Sequence, residues 1–208
     1  MPARFHVVLL LLLTFGGMMI AIQAWRRASV GSLSAPAIDR YRQAPEPGAP
    51  LGGQVTLVDT DGRPMSLLEL SGTVRMVFFG FTHCPDVCPM GLSNMSLLLE
   101  ELGAEARDVR AVFITVDPER DTPEVMKQFV ANFAGGIIGL TGSVQQIGGV
   151  VAAFHAYAQK VPGRDGSYTV DHTASIFLLD RSGNFRGTID LHEPQLTATE
   201  KLRRLLKS

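Results

Sequence analysis

Apolar residues along this chain form one long continuous run, several short dense runs and several runs at helical spacing. The long run, Val7 to Ala24, is broken only by Thr14, Gly16, Gly17 and Gln23, with Arg4 before it and Trp25-Arg26-Arg27 after it. As a helix it would span roughly 27 Å at about 1.5 Å per residue, close to the hydrocarbon thickness of a bilayer. Residues 1–27 therefore read as a membrane anchor, with Trp25 suited to an interface; a cleaved signal segment with Ile22-Gln23-Ala24 at its cleavage site is the competing reading. Residues 28–50 carry Pro36, Pro45, Pro47 and Pro50 without apolar periodicity and read as a proline-rich linker. The folded domain is expected over 51–208.

Within that domain, Gln54 to Val58 predicts a short strand and Asp59-Thr60-Asp61-Gly62 a turn. Val74 to Phe81 and Val109 to Val116 are dense enough for buried strands. Met90, Met95, Leu98, Leu99 and Leu102 predict a helix from Pro89 to about Leu102, and Thr122 and Pro123 cap and start another to about Phe133. Val144, Ile147, Val151, Phe154 and Ala158 predict a third. Ala174 to Leu179 and Phe185 to Ile189, joined by Asp180-Arg181-Ser182-Gly183, read as a hairpin, followed by a helix from Thr197 to Leu206. The alternation predicts an α/β fold with a mixed central sheet flanked by helices on both faces.

Composition changes this picture little. The chain has 208 residues, 46% of them hydrophobic, and a formal charge of -1, so one ordinary core is expected and nucleic acid is excluded as a partner on electrostatic grounds.

Cysteine changes it more. The chain has only two, Cys84 and Cys88, in Gly80-Phe81-Thr82-His83-Cys84-Pro85-Asp86-Val87-Cys88-Pro89, at the carboxyl end of the first dense strand, where sites gather in α/β sheets. Two thiolates at this spacing make a metal chelate or a redox couple. A structural disulfide enclosing three residues would remove little chain entropy and staple the domain weakly. Two cysteines alone complete neither a structural zinc site nor an iron-sulfur cluster, whereas two sulfurs and one imidazole suit three-coordinate Cu(I), and Cu(II) could add an oxygen.

Five histidines could supply the nitrogen. His6 lies in the hydrophobic N-terminal segment, just ahead of the long apolar run, and His83 would strain to reach an ion shared with Cys88. His155 sits on a predicted helix face, His192 in an exposed loop, and His172 just ahead of the strand from Ala174. Spacing leaves the choice open. Pro85 and Pro89 bracket the cysteines and limit the backbone between them.

Four stretches occur in order: Phe79 to Pro89, Ile114-Thr115-Val116-Asp117-Pro118-Glu119-Arg120-Asp121-Thr122-Pro123, Leu140-Thr141-Gly142-Ser143 and Tyr168-Thr169-Val170-Asp171-His172. Together they resemble the Sco/SenC family of membrane-tethered copper proteins, over about residues 51 to 207. The resemblance implies a thioredoxin-like fold behind an N-terminal transmembrane helix. It implies a single pass through the inner membrane with the soluble domain in the periplasm, or in the intermembrane space of mitochondria. Family copper ligands map onto Cys84, Cys88 and His172, for Cu(I), Cu(II) or both. The implied partners are a copper donor and cytochrome c oxidase subunit II, or a similar acceptor, whose binuclear centre is assembled by copper delivery, by reduction of the acceptor's cysteines, or by both. Asp117 and Asp171 are further candidates to support the site or to cap turns, and the loop Val161 to Ser167 is the least constrained stretch. The enzymatic alternative is a thiol-disulfide reductase using Cys84 and Cys88 as its redox pair, although such enzymes usually separate their cysteines by two residues rather than three.

Overall fold

The structure, a computed structural model, describes residues 45, 48–51, 55–163 and 165–208. The expected anchor Val7 to Ala24 and most of the stretch 28–50 lie outside these residues. Among the described residues no helix is long and apolar enough to cross a membrane.

A seven-stranded sheet forms the centre, in the order β2-β1-β5-β4-β3-β8-β9. β3 (Val74–Gly80), β4 (Val109–Thr115) and β5 (Ile138–Thr141) are parallel neighbours. β1 (Thr56–Asp59) and β2 (Pro64–Ser66) add antiparallel strands on one side, and β8 (Ser175–Leu179) and β9 (Phe185–Asp190) on the other. Every residue of β3 is buried, as a central strand covered on both faces requires. One of them is Arg75, whose guanidinium donates to the carbonyls of Leu67 (3.1 Å) and Arg181 (3.0 Å). Edge-to-face contacts among Phe79, Phe154 and Phe177 fill the core beside β3, with centroids 5.2–5.8 Å apart. Gly48 N–H donates to the Phe185 carbonyl, and Pro50 bridges Asn184, so this stretch already lies along β9.

Four helices accompany the sheet among the described residues: α1 (Val87–Leu102), α2 (Pro123–Val130), α3 (Val144–Ala153) and α4 (Gln195–Leu206). α1 starts two residues before the expected Pro89. Proline is harmless there because the first turn's N–H groups have no intrahelical partner. In α2, Thr122 accepts from Val125 N–H at 3.4 Å as the expected cap, but the helix stops at Val130 rather than near Phe133. Asn132 and Phe133 bond back only three residues, a tightened turn that ends the α-helical ladder.

The largest departure from expectation follows α3. The predicted helix through Phe154 to Ala158 breaks after Ala153, where His155 adopts a left-handed φ of 51° and Ala156 N–H reaches back to the Val151 carbonyl. Ala158 instead begins β6 (Ala158–Pro162), which pairs antiparallel with β7 (Tyr168–His172). These strands form a second, two-stranded sheet, so Val161 and Pro162 of the expected loop belong to a strand.

Candidate metal centre

Parallel register brings the ends of β3 and β4 level, Gly80 opposite Thr115, and Val116 N–H donates to the Gly80 carbonyl at 2.7 Å. Two loops therefore leave the same edge of the sheet side by side. The first, Phe81 to Asp86, carries Cys84 and leads into α1, whose first turn carries Cys88. The second, Val116 to Thr122, carries Asp117 and Asp121.

Asp121 ties the two loops together. Its side chain is wholly buried and accepts from Thr82 N–H at 3.0 Å, from the Thr82 hydroxyl at 2.6 Å and from the Thr115 hydroxyl at 2.6 Å. The cysteine loop is thus anchored at its second residue by a charge-assisted network. Sequence reasoning missed this role by treating Asp117 to Glu124 as a polar turn. The only signal in the sequence was a second aspartate just before a helix cap, which does not show the Thr82 and Thr115 hydroxyls that donate to it.

Cys88 is fully buried and Cys84 half-buried, and both thiols are free. Phe81 N–H donates to Cys88 Sγ at 3.4 Å. Gly80 leaves room for that sulfur: a Cβ there would lie 2.6 Å from Cys88 Sγ and 2.8 Å from the Phe113 ring. Burial pushes the Cys88 thiol far above its ordinary pKa, the nearby Cys84 adds to the rise, and the Phe81 N–H opposes it. A bound cation would reverse that balance, because its charge replaces the lost solvation of the thiolate and displaces the proton.

His172 arrives from the end of β7. Its Nε2 lies 3.5 Å from Cys88 Sγ, and its ring packs edge-on against Phe78 and Phe81, with centroids 6.2 and 5.8 Å apart. Nδ1 sits 3.0 Å from the Thr173 carbonyl, an acceptor only, so Nδ1 carries the hydrogen and Nε2 presents its lone pair to the sulfurs. Burial lowers the His172 pKa, against the opposing carbonyl bond and Asp171, which keeps the ring neutral and able to coordinate.

One ligand atom from each of Cys84, Cys88 and His172 lies within 4.8 Å of the others. Trigonal bonds of about 2.3 Å would hold ligands about 4 Å apart, so small side-chain adjustments would close this set on one ion. The donor chemistry, two thiols and a neutral imidazole, fits a soft cation.

The other histidines stay apart. His83 is exposed, its Nδ1 3.1 Å from the Thr82 hydroxyl. His155 is exposed beyond the end of α3, not on a helix face, and His192 is exposed with Nδ1 3.4 Å from Asp190. His6 lies outside the described residues. Of the two aspartate candidates, Asp117 is buried against Arg120 and Tyr168, and Asp171 is an exposed residue of β7 opposite Gln159.

Known proteins resemble this chain. A SCO2-like protein of Rickettsia felis is 39% identical over 142 residues, spanning 67% of this chain and 69% of its own. The structure of Bradyrhizobium japonicum ScoI with copper bound is 42% identical, covers 74% of this chain and 99% of that one, and superposes with a TM-score of 0.69. BsSco, in which a disulfide switch was identified and which is described as a member of the Sco family of cytochrome c oxidase assembly proteins, is 28% identical. That match covers 79% of this chain and 99% of BsSco, with a TM-score of 0.62. The mixed sheet with flanking helices is the thioredoxin-like architecture of those structures. The family described as SCO1/SenC matches residues 43–207, from ahead of β1 to the last turn of α4, with both cysteines and His172 inside the match, and the chain belongs to that family.

Proposed function

We propose that this protein is a copper metallochaperone, anchored by residues 1–27 and tethered by 28–50, that helps assemble the binuclear copper centre of cytochrome c oxidase subunit II. The observation carrying this reading is the convergence of Cys84, Cys88 and His172 from positions up to 88 residues apart on one point beside the sheet edge. Copper is the cargo. Loading displaces one proton from each thiol as Cys84, Cys88 and the neutral Nε2 of His172 replace the donor's ligands, and acceptor groups then take the ion by replacing these ligands one at a time without a change in copper oxidation state. The copper-bound ScoI relative supports the metal, and the description of the Sco family supports the acceptor. With Val7 to Ala24 as the anchor, the family resemblance assigns the folded domain to the periplasm, or to the intermembrane space of a mitochondrion.

The experiment is copper stoichiometry and absorption on the reduced chain from residue 28, with Cys88→Ser and His172→Ala alongside. One copper per chain is expected, with a thiolate-to-Cu(II) band lost or altered in both variants. The His172→Ala affinity should fall about tenfold or more, equivalent to about 1.4 kcal/mol or more. Wild-type affinity and spectrum in His172→Ala would overturn the ligand assignment.

A second reading is favoured by the free, neighbouring and unequally exposed thiols. As a reductase, the half-buried Cys84 would attack an acceptor disulfide, releasing one acceptor thiolate and forming a mixed disulfide. Cys88 would then attack Cys84, releasing the second thiol and leaving a Cys84–Cys88 disulfide, so two electrons pass to the acceptor. His172 is dispensable in that reaction. A His172→Ala variant that reduces the acceptor but fails to load its copper separates the two roles.

A further inference from the structure

His172 sits on a weak element. Among the described residues β6 and β7 pair only with one another, and of their residues only Val170 is fully buried. A two-stranded hairpin is marginal by itself in water, so contacts outside its own ladder must set where it lies.

The segment just after β4 provides them. Arg120 Nε donates to the buried Asp117 Oδ2, and Arg120 Nη1 donates to the Tyr168 carbonyl at 3.3 Å. The guanidinium carbon lies 3.8 Å from the centroid of the Tyr168 ring, while the Tyr168 hydroxyl donates to Asp117 Oδ1 at 2.9 Å. The first residue of β7 is thus held at its backbone, its ring face and its hydroxyl. Arg120 also lies 5.8 Å from the ring of Phe81, the residue that packs edge-on against His172. Arg120 Nη2 is buried with no hydrogen-bond partner among the described residues, so the guanidinium is placed by Asp117 and the two rings, not by solvent. Asp121, the next residue, anchors the cysteine loop.

We infer that Arg120 is a positioning residue that docks the β6–β7 hairpin against the cysteine loop and so brings His172 Nε2 to the ion held by Cys84 and Cys88. This inference rests on the proposed ligand set. The turn Asp117 to Asp121 then registers both halves of the site from one point, Arg120 for the nitrogen donor and Asp121 for the sulfurs. Arginine is specific to the task, because lysine offers neither the planar stack on Tyr168 nor a fork spanning Asp117 and a carbonyl.

The test uses the full-length protein as wild type, Arg120→Gln, Arg120→Lys, Tyr168→Leu, His172→Ala and Arg120→Gln/His172→Ala. Amide hydrogen exchange is measured on the metal-free protein, and affinity is measured with Cu(I) under reducing conditions. In Arg120→Gln, amides of β6 and β7 should exchange about tenfold faster or more while β3 and β4 stay at wild-type rates. Its Cu(I) affinity should fall to that of His172→Ala, with the double variant no weaker. Arg120→Lys should recover only part of the loss, and Tyr168→Leu, altered on the hairpin itself, should reproduce it. Wild-type exchange and affinity in Arg120→Gln and Tyr168→Leu, with His172→Ala still weakened, would overturn the inference alone. So would additive losses in the double variant, or exchange rising equally in β3, β4 and the hairpin. Undiminished affinity in His172→Ala would instead remove the ligand set, and the positioning role with it.

Discussion

The two halves of the metal centre are built to different standards. The sulfur half grows from β3, every residue of which is buried, and its loop is held by a carboxylate that accepts three hydrogen bonds. The nitrogen half is the last residue of a hairpin with one buried side chain, outside the main sheet. Local stability follows burial, so the sulfurs share the stability of the core while the imidazole opens at a lower free energy. A carrier benefits from that inequality. In the proposed carrier the sulfur pair would fix where the ion sits, and the histidine would supply a donor that can be withdrawn without unfolding the domain.

Three substitutions test this contrast. The largest effect is expected from Asp121→Ala, which strands a buried hydroxyl of Thr115 and two donors of Thr82. Unfolding in urea should show a loss of about 3 kcal/mol, and an unfolding free energy within about 0.5 kcal/mol of wild type would mean that the sulfur half is held by something else. Gly80→Ala comes next. Its methyl group would occupy space now filled by Cys88 Sγ and Phe113, at a cost of about 1–3 kcal/mol, and the displaced sulfur should weaken Cu(I) binding as well. Unchanged copper affinity with a lowered melting temperature would show that the sulfur has slack. Val170→Ala should give the smallest effect, about 1 kcal/mol, read as faster amide exchange in β6 and β7 with an unmoved urea midpoint. A midpoint shift as large as the exchange effect would make hairpin and core one cooperative unit and erase the contrast.

The same contrast governed what could be read from the sequence. Val74 to Phe81 and Val109 to Val116 announced buried strands because central parallel strands are apolar throughout, and Thr122-Pro123 announced a helix start through its capping chemistry. The β6–β7 hairpin carried no such signal. Gln159 and Lys160 face solvent, and apolar residues continuing past Phe154 imitated helical spacing. The break came from a histidine in a left-handed conformation where glycine would have advertised it. At the site, Cys84 and Cys88 declared themselves by spacing. His172 lies 84 residues beyond Cys88, a separation that only the hairpin's docking closes, so family motifs, not periodicity, singled it out. Asp121 stayed hidden because a carboxylate's value as a hub depends on hydroxyls from β4 and from the cysteine loop.

The unequal exposure of the two sulfurs gives the site a front and a back. Cys88 lies beneath the start of α1 with its sulfur against Gly80, while Cys84 stands half-open on the loop above it. The half-buried Cys84 lies nearer to an approaching protein than the fully buried Cys88. In the proposed carrier, the bond to Cys84 would therefore be exchanged before the bond to Cys88.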